Sequence, residues 1–264
     1  MPLDRPVINS GVPHSARIWN YWLGGKDCYE IDRQVGDEIR GMNPQIIDIA
    51  RAQRAFLRRA VTYLTEEAGL RQFLDIGTGL PTADNTHEVA QQAARDARIV
   101  YVDHDPTVLV HAHALLTSTP EGATAFVGAD LRDPDAIVDR AAGTLDLTRP
   151  VGLVLLGITA HLPDESVYGI VARLLDALAP DSHLVLGDST EVYRPEAMRA
   201  MVAHWNDASD NPRVNRSPAQ LARFFDGLEP LAPGLVSVAR WRAEPGGDEV
   251  PPEVDCFGGI ARKP

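Results

Sequence analysis

The chain has 264 residues, 44% of them hydrophobic, enough to bury one sizeable core in a single decorated α/β unit. A formal net charge of −12 argues against a nucleic-acid binder, which needs a basic face to displace counterions, and tolerates a cationic small ligand. The two cysteines, Cys28 and Cys256, lie far apart in the sequence, which argues against a disulfide framework or structural zinc site and fits a reducing cytoplasm.

The opening stretch "MPLDRPVINSGVPHSAR" has no apolar signal core, and no run of about 18 apolar residues occurs, so neither export nor a membrane span is expected. Residues 15–67 read as helical: a short aromatic helix in "ARIWNYWLGG", stopped by Gly24 and Gly25, and a longer amphipathic one over 44–67. From residue 72 strands and helices alternate. The strand runs are "QFLDI", "IVYVD", "AFVGA", "VGLVLLGI" and "HLVLGD", with helical patterns over 84–95, 106–117, 134–141 and 166–178. Such alternation builds βαβ units and a parallel sheet with helices on both faces, and "VGLVLLGI", apolar on both faces, reads as a central strand. After Asp188 come two helices, "EAMRAMVAHW" and "SPAQLARFFDGL". Two strand-like pieces, "LVSVARW" and "VDCFGGIAR", then suggest a final hairpin against the sheet.

The first strand ends at Asp75 and breaks into Gly77-Thr78-Gly79. A dinucleotide fingerprint asks for a third small residue, where this chain has Thr82 after Pro81. Pyrophosphate on this turn would meet Asp75 before it and Asp84 after it, and like charges repel. S-adenosylmethionine, carrying an ammonium and a sulfonium and no phosphate, suits those carboxylates better. A plain tight turn with Asp84 capping the next helix remains the alternative. The second strand ends at Asp103, placed to accept from ribose hydroxyls, and the third is followed by Asp130, placed for an adenine amino group. Asp105 reads as a helix-start residue. Three acidic strand ends along the carboxyl edge of one sheet mark the edge where open α/β sheets bind ligands.

With those residues in place, the chain resembles class I S-adenosylmethionine-dependent methyltransferases. More narrowly, it is similar to an actinobacterial family of S-adenosyl methyltransferases of unassigned substrate. The resemblance rests on "ARIWNYWLGGKDCYEIDR", "RAQRAFLRRAV", "RQFLDIGTGLPTADNTHEVAQ", "VYVDHDP", "DLRDP", "LDLTRPVGLVLLG", "RSPAQLARFFDGLEPLAPGLVSVARWR" and "FGGIARKP". It implies a mostly parallel, doubly wound, seven-stranded Rossmann-like sheet over residues 68–264, with an N-terminal helical lid over 1–67. It also implies that Asp75, Gly77, Thr78 and Gly79 hold the methionine portion and Asp103 the ribose. His104 would lie beside the adenine, Asp130 and Leu131 at its edge, and Leu156 and Gly157 along the sulfonium. Two departures are Pro81, where many class members have glycine, and Gly157-Ile158-Thr159-Ala160, where a bulkier apolar run is expected on the substrate side.

Methyl transfer needs positioning and dryness, and a base only when the acceptor must first lose a proton. His161, just past the fourth strand, is the candidate base, with Asp164 and Glu165 close behind; a packed or capping histidine is the plainer alternative. Tyr21, Gly24 and Asp27 are candidate lid contacts, unless the aromatic helix merely packs on the core with a glycine cap. His111 and His113 face different directions on one helix, no cluster has metal-ligand spacing, and no GxSxG occurs, so neither a metal site nor hydrolase chemistry is expected. Two rivals stand beside the methyltransferase: an NAD-dependent oxidoreductase, and a protein that binds S-adenosylmethionine without turning it over.

Overall fold

A computed structural model describes residues 9–115, 117–243 and 251–264, with the side chains of 113–115 excepted. Residues 1–8 of the expected lid and the side chain of His113 therefore lie outside the described residues.

Three helices come first: α1 (Ser15–Trp22), α2 (Glu30–Met42) and α3 (Ile46–Glu66). The alternating region follows: β1 (Gln72–Ile76), α4 (Thr86–Ala93), β2 (Arg98–Asp103), α5 (Pro106–Leu115), β3 (Ala123–Gly128), α6 (Pro134–Ala141), β4 (Gly152–Leu156), α7 (Asp164–Asp176) and β5 (His183–Ser189). The chain closes with α8 (Pro195–Ala208), α9 (Pro218–Ala222), β6 (Glu229–Pro230), β7 (Val236–Ser237) and β8 (Cys256–Arg262).

The sheet runs β3-β2-β1-β4-β5-β8-β6, with β7 also paired to β8. Strands β1 to β5 are mutually parallel and β8 is antiparallel to β5. Strand order reverses between β1 and β4, and β4 is central, as its apolar run requires.

Alternation along each strand divides the core into two layers. Phe73, Tyr101, Val154 and Ile260 face α1 to α4 and α8. Leu74, Val102, Leu155 and Leu186 face α6, α7 and α9. Ile18, Trp22, Val35 and Phe56 belong to the first of these layers, so the N-terminal helices share a core with the sheet.

The end of the chain corrects two expectations. Among the described residues the sheet has eight strands rather than seven, because β6 and β7, two residues each, divide one position along β8. "LVSVARW" is strand only at Val236–Ser237. Beyond it Arg59 of α3 takes the carbonyls of Val238 (2.6 Å) and Trp241 (2.8 Å), and the fully buried Trp241 packs edge-on against Phe56. Side-chain donors there take carbonyls a ladder would use, while the Val238 N–H still donates to the Cys256 carbonyl at 2.9 Å. A smaller correction concerns α4: its cap is Asn85, in a reciprocal pair with Glu88, while Asp84 sits one residue earlier at φ 57°.

Candidate active site

At the carboxyl edge of the sheet, a cleft opens where strand order reverses, the position at which open α/β sheets receive ligands. Its floor is the turn after β1. Gly77 (φ +74°) and Gly79 (φ +66°) are left-handed, a conformation that strains other residues. Any Cβ on Gly77 would come within 2.6 Å of the Ile158 side chain, so glycine also permits the β1 turn to meet the loop after β4. Gly79 instead opposes Ala16 of α1, 3.9 Å from where its Cβ would stand.

Two buried carboxylates face this turn. Asp103 ends β2 at 8% exposure and accepts the Gly79 N–H (3.1 Å) through one oxygen and the Asp105 N–H (2.9 Å) through the other. Burial pushes its carboxyl above the usual range, and the two N–H groups partly offset that. Asp75, on β1, accepts from Thr86 Oγ1 at 2.5 Å; burial pushes it up to about 6, against the Thr86 bond and the Arg54 charge. Arg54 of α3 lines the cleft while binding the Ala83 carbonyl (2.8 Å) and Asn85 (3.0 Å), which draws the loop after the turn toward α3.

The opposite wall comes from β4, β5 and the segment after α8. Leu156, Gly157, Ile158, His161, Ser189, Asn211 and Arg213 all line it. His161 Nδ1 lies 3.2 Å from the Pro212 carbonyl, which can only accept, so Nδ1 carries the proton and Nε2 is left as an acceptor. Burial, with Arg213 nearby, drives its pKa down to about 4, and the ring is neutral at physiological pH.

Helix α1 covers the cleft with Ala16, Trp19, Asn20 and Leu23, one helical face at spacings of three and four. It is fastened from two sides. Asp32 of α2, fully buried, accepts from the His14 N–H (2.9 Å), Arg17 Nε (2.7 Å) and the Tyr29 N–H (2.8 Å). His14 caps α1 through Nδ1 and approaches Asp105 Oδ2 with Nε2 at 3.3 Å. Asp105 also accepts the Thr107 N–H at 2.8 Å, so it does start α5 as expected.

Of the sequence candidates, Asp75, Gly77, Thr78, Gly79, Asp103, His104, Leu156, Gly157 and His161 come together around the cleft. Tyr21, Gly24, Asp27, Asp130 and Leu131 are not among the residues lining it. Tyr21 turns outward to Asp37 (2.9 Å), Gly24 (φ +86°) ends α1, and the Asp27 N–H donates to Asn20 Oδ1 at 3.2 Å. Asp130 binds Arg132 (3.1 Å), whose N–H and guanidinium outweigh partial burial and hold the carboxyl low; Leu131 is buried in the second core layer. Asp84, half of the charge argument, is exposed, so Asp75 and Asp103 supply the negative charge here. His14, Gln53, Arg54, Ser189, Asn211 and Arg213 complete the wall without having been singled out in the sequence.

This sheet order, with a glycine turn and buried carboxylates at its switch point, defines a class I methyltransferase fold. The S-adenosyl methyltransferase family model matches residues 3–264, and the chain belongs to that family. It is an S-adenosylmethionine-dependent methyltransferase. It is similar, at 42% identity and a TM-score of 0.91, to a DUF574 family protein from Streptomyces avermitilis, covering 97% of this chain and 99% of that one. A proposed methyltransferase from Thermobifida fusca is 38% identical with a TM-score of 0.87, covering 96% and 95% of the two chains. The magnesium protoporphyrin IX methyltransferase of Synechocystis shares the fold at 12% identity, with a TM-score of 0.56 and coverage of 94% and 93%. No curated protein matches the chain.

Proposed function

We propose that this cleft is where S-adenosylmethionine binds, and that the methyl acceptor enters from the His161 side. Asp75 and the Gly77–Gly79 turn would hold the methionine portion, Asp103 the ribose, and His104 the adenine side, with Asp130 and Leu131 beyond it. Leu156 and Gly157 would border the sulfonium. The observation that carries the assignment is the pair of buried carboxylates, Asp75 and Asp103, beside a left-handed glycine turn. Those acceptors fit a cationic nucleoside and repel a pyrophosphate at the turn. Bound there, the cofactor supplies a sulfonium-activated methyl group open to in-line displacement.

The chain's own residues contribute position and dryness. Asp103 accepts from a hydroxyl while holding Gly79 in place. Helix α1, fastened by Asp32, acts as the lid and excludes water above the turn. Neutral His161 offers Nε2 to a proton on the acceptor. Within the 1–67 extension, α1 is the covering part and α3 supports the sheet. The net charge of −12 favours a small-molecule acceptor over a nucleic acid. No helix among the described residues is long and apolar enough to cross a membrane. A cytoplasmic actinobacterial enzyme accords with free Cys28 and Cys256 and with similar proteins from Streptomyces and Thermobifida.

Calorimetry tests the site. S-adenosylmethionine and S-adenosylhomocysteine should bind, and NAD far more weakly; tighter NAD binding would overturn the assignment.

A further inference from the structure

The acceptor wall of the cleft ends on a guanidinium with donors to spare. Arg213 lines the cleft beside His161, and among the described residues its side chain makes one hydrogen bond, to Ser189 Oγ at 3.0 Å. Its Nε is buried and has no partner. The guanidinium carries five N–H donors in a planar fork matched to a carboxylate.

The nearby Asp188 charge attracts Arg213 but does not occupy its N–H donors. Asp188 is buried close by, yet its oxygens go to Thr159 Oγ1 (2.5 Å) and the Ser189 N–H (2.8 Å), and no ion pair joins it to Arg213 among the described residues. Arg216 is committed to Asp164 (2.8 Å) and to the carbonyls of Thr159 (2.8 Å) and Leu162 (2.6 Å). His161 is neutral at physiological pH, and burial holds the Cys256 thiol in its protonated form.

The position is also built. Asn206 grips the Arg213 backbone from both sides, accepting its N–H (2.8 Å) and donating to its carbonyl (3.0 Å). The next residue, Val214, donates to the Ala160 carbonyl (2.9 Å), and Arg216 N–H to that of Ser189 (3.3 Å). Ser189, accepting from Arg213, retains its hydroxyl proton to donate. The same cleft is lined by Trp19, Leu156 and Ile158.

We propose that Arg213 and Ser189 form a carboxylate subsite and that the methyl acceptor is an organic acid with an apolar body. This rests on the methyltransferase reading of the cleft. The acid's carboxylate takes the fork of Arg213 and the Ser189 hydroxyl, its body lies along Leu156 and Ile158, and the atom to be methylated is presented near His161.

The experiment titrates benzoate and its neutral isostere benzamide into protein saturated with S-adenosylhomocysteine, followed by NMR, with S-adenosylhomocysteine affinity measured separately by calorimetry. Benzoate should bind roughly tenfold or more tighter than benzamide, the scale of a hydrogen bond to a charged group. Arg213→Gln should remove that preference and leave S-adenosylhomocysteine affinity unchanged; Arg213→Lys should keep part of it. Equal binding of the two probes, or no binding by benzoate, overturns the subsite, and the wild-type comparison decides this even where Arg213→Gln does not fold. Loss of S-adenosylhomocysteine affinity in Arg213→Gln would overturn it too, by assigning the arginine to the cofactor. Failure of the wild type to bind S-adenosylhomocysteine is a different result and sinks the methyltransferase site itself.

Discussion

The Gly79 N–H donates to Asp103 Oδ2 at 3.1 Å, tying the turn after the first strand to the end of the second. One carboxylate thus shapes the glycine turn and faces the cleft that the turn lines. Asp103→Asn keeps an acceptor for one of the two N–H groups, sets an amide NH2 against the other, and weakens what Asp103 offers a ribose. Calorimetry with S-adenosylhomocysteine should show a loss of about 1.5–3 kcal/mol, with a modest fall in Tm from the one N–H left without its acceptor. Unchanged affinity with a collapsed Tm would make Asp103 purely structural.

Asp75 predicts a trade between stability and binding. Burial raises its carboxyl from 3.8 to about 6, so between those values the folded chain holds a proton that the unfolded chain has released. Its contribution to stability is therefore present below about pH 4 and lost as pH rises to about 6, a cost of roughly 1–3 kcal/mol at neutral pH. Asp75→Asn retains an acceptor for Thr86 and removes the charge. It should raise Tm at pH 7 and weaken S-adenosylmethionine binding; a lowered Tm at pH 7 would contradict the electrostatic account.

His161 slopes the other way. With its pKa depressed to about 4, it contributes stability that is present above its ordinary value of 6.5 and lost as pH falls toward 4. Over that window the two groups oppose each other, so His161→Gln should lose less stability on acidification than the wild type does. An imidazole NMR titration should place the wild-type midpoint near 4. A midpoint at 6.5 would remove both the burial argument and the neutral acceptor role.

The strand-end residues were legible because each requirement is local. A buried strand, a glycine turn and a carboxylate occupy a few consecutive positions, so Asp75, Gly77, Gly79 and Asp103 stand out in the sequence, whereas Gly157 comes only with the family resemblance. Arg213 and Ser189 lie 24 residues apart in the sequence and meet only through tertiary packing, so no spacing announced them. In α1 the aromatic content was legible and its rotation was not. Ala16, Trp19, Asn20 and Leu23 share the cleft face at helical period, which turns Tyr21 outward to Asp37. The shortened "LVSVARW" strand follows from Arg59, a competitor for its carbonyls that lies far upstream in the sequence.

The proposed lid, α1, should respond to ligand together with α2. Arg17 (4% exposed) and Asp32 (0%) form a buried ion pair between α1 and α2, and removing one partner strands the other. Arg17→Ala should cost about 3–5 kcal/mol of stability. In the wild type, hydrogen exchange over residues 15–30 should slow when S-adenosylhomocysteine is added, with smaller changes in α3. Exchange already slow and indifferent to ligand would make α1 a packing helix rather than a lid.

The divided position beyond β8 bears on how these molecules behave at high concentration. Exposed sheet edges invite a strand from another chain, because their unpaired N–H and C=O groups form a ready template. Here the outer side of β8 is met at intervals: by β7 at Phe257 and Gly258, by the Leu231 N–H on the Ile260 carbonyl, and by β6 at Ala261 and Arg262. β6 itself is two residues long, and one of them is Pro230, which has no N–H to offer. Among the described residues, a strand arriving at this edge would find no run of free donors long enough to register on, and Arg262 paired with Glu229 adds charge at the rim. The irregularity that costs the sheet a regular last strand thereby guards this edge against growing into a neighbour's.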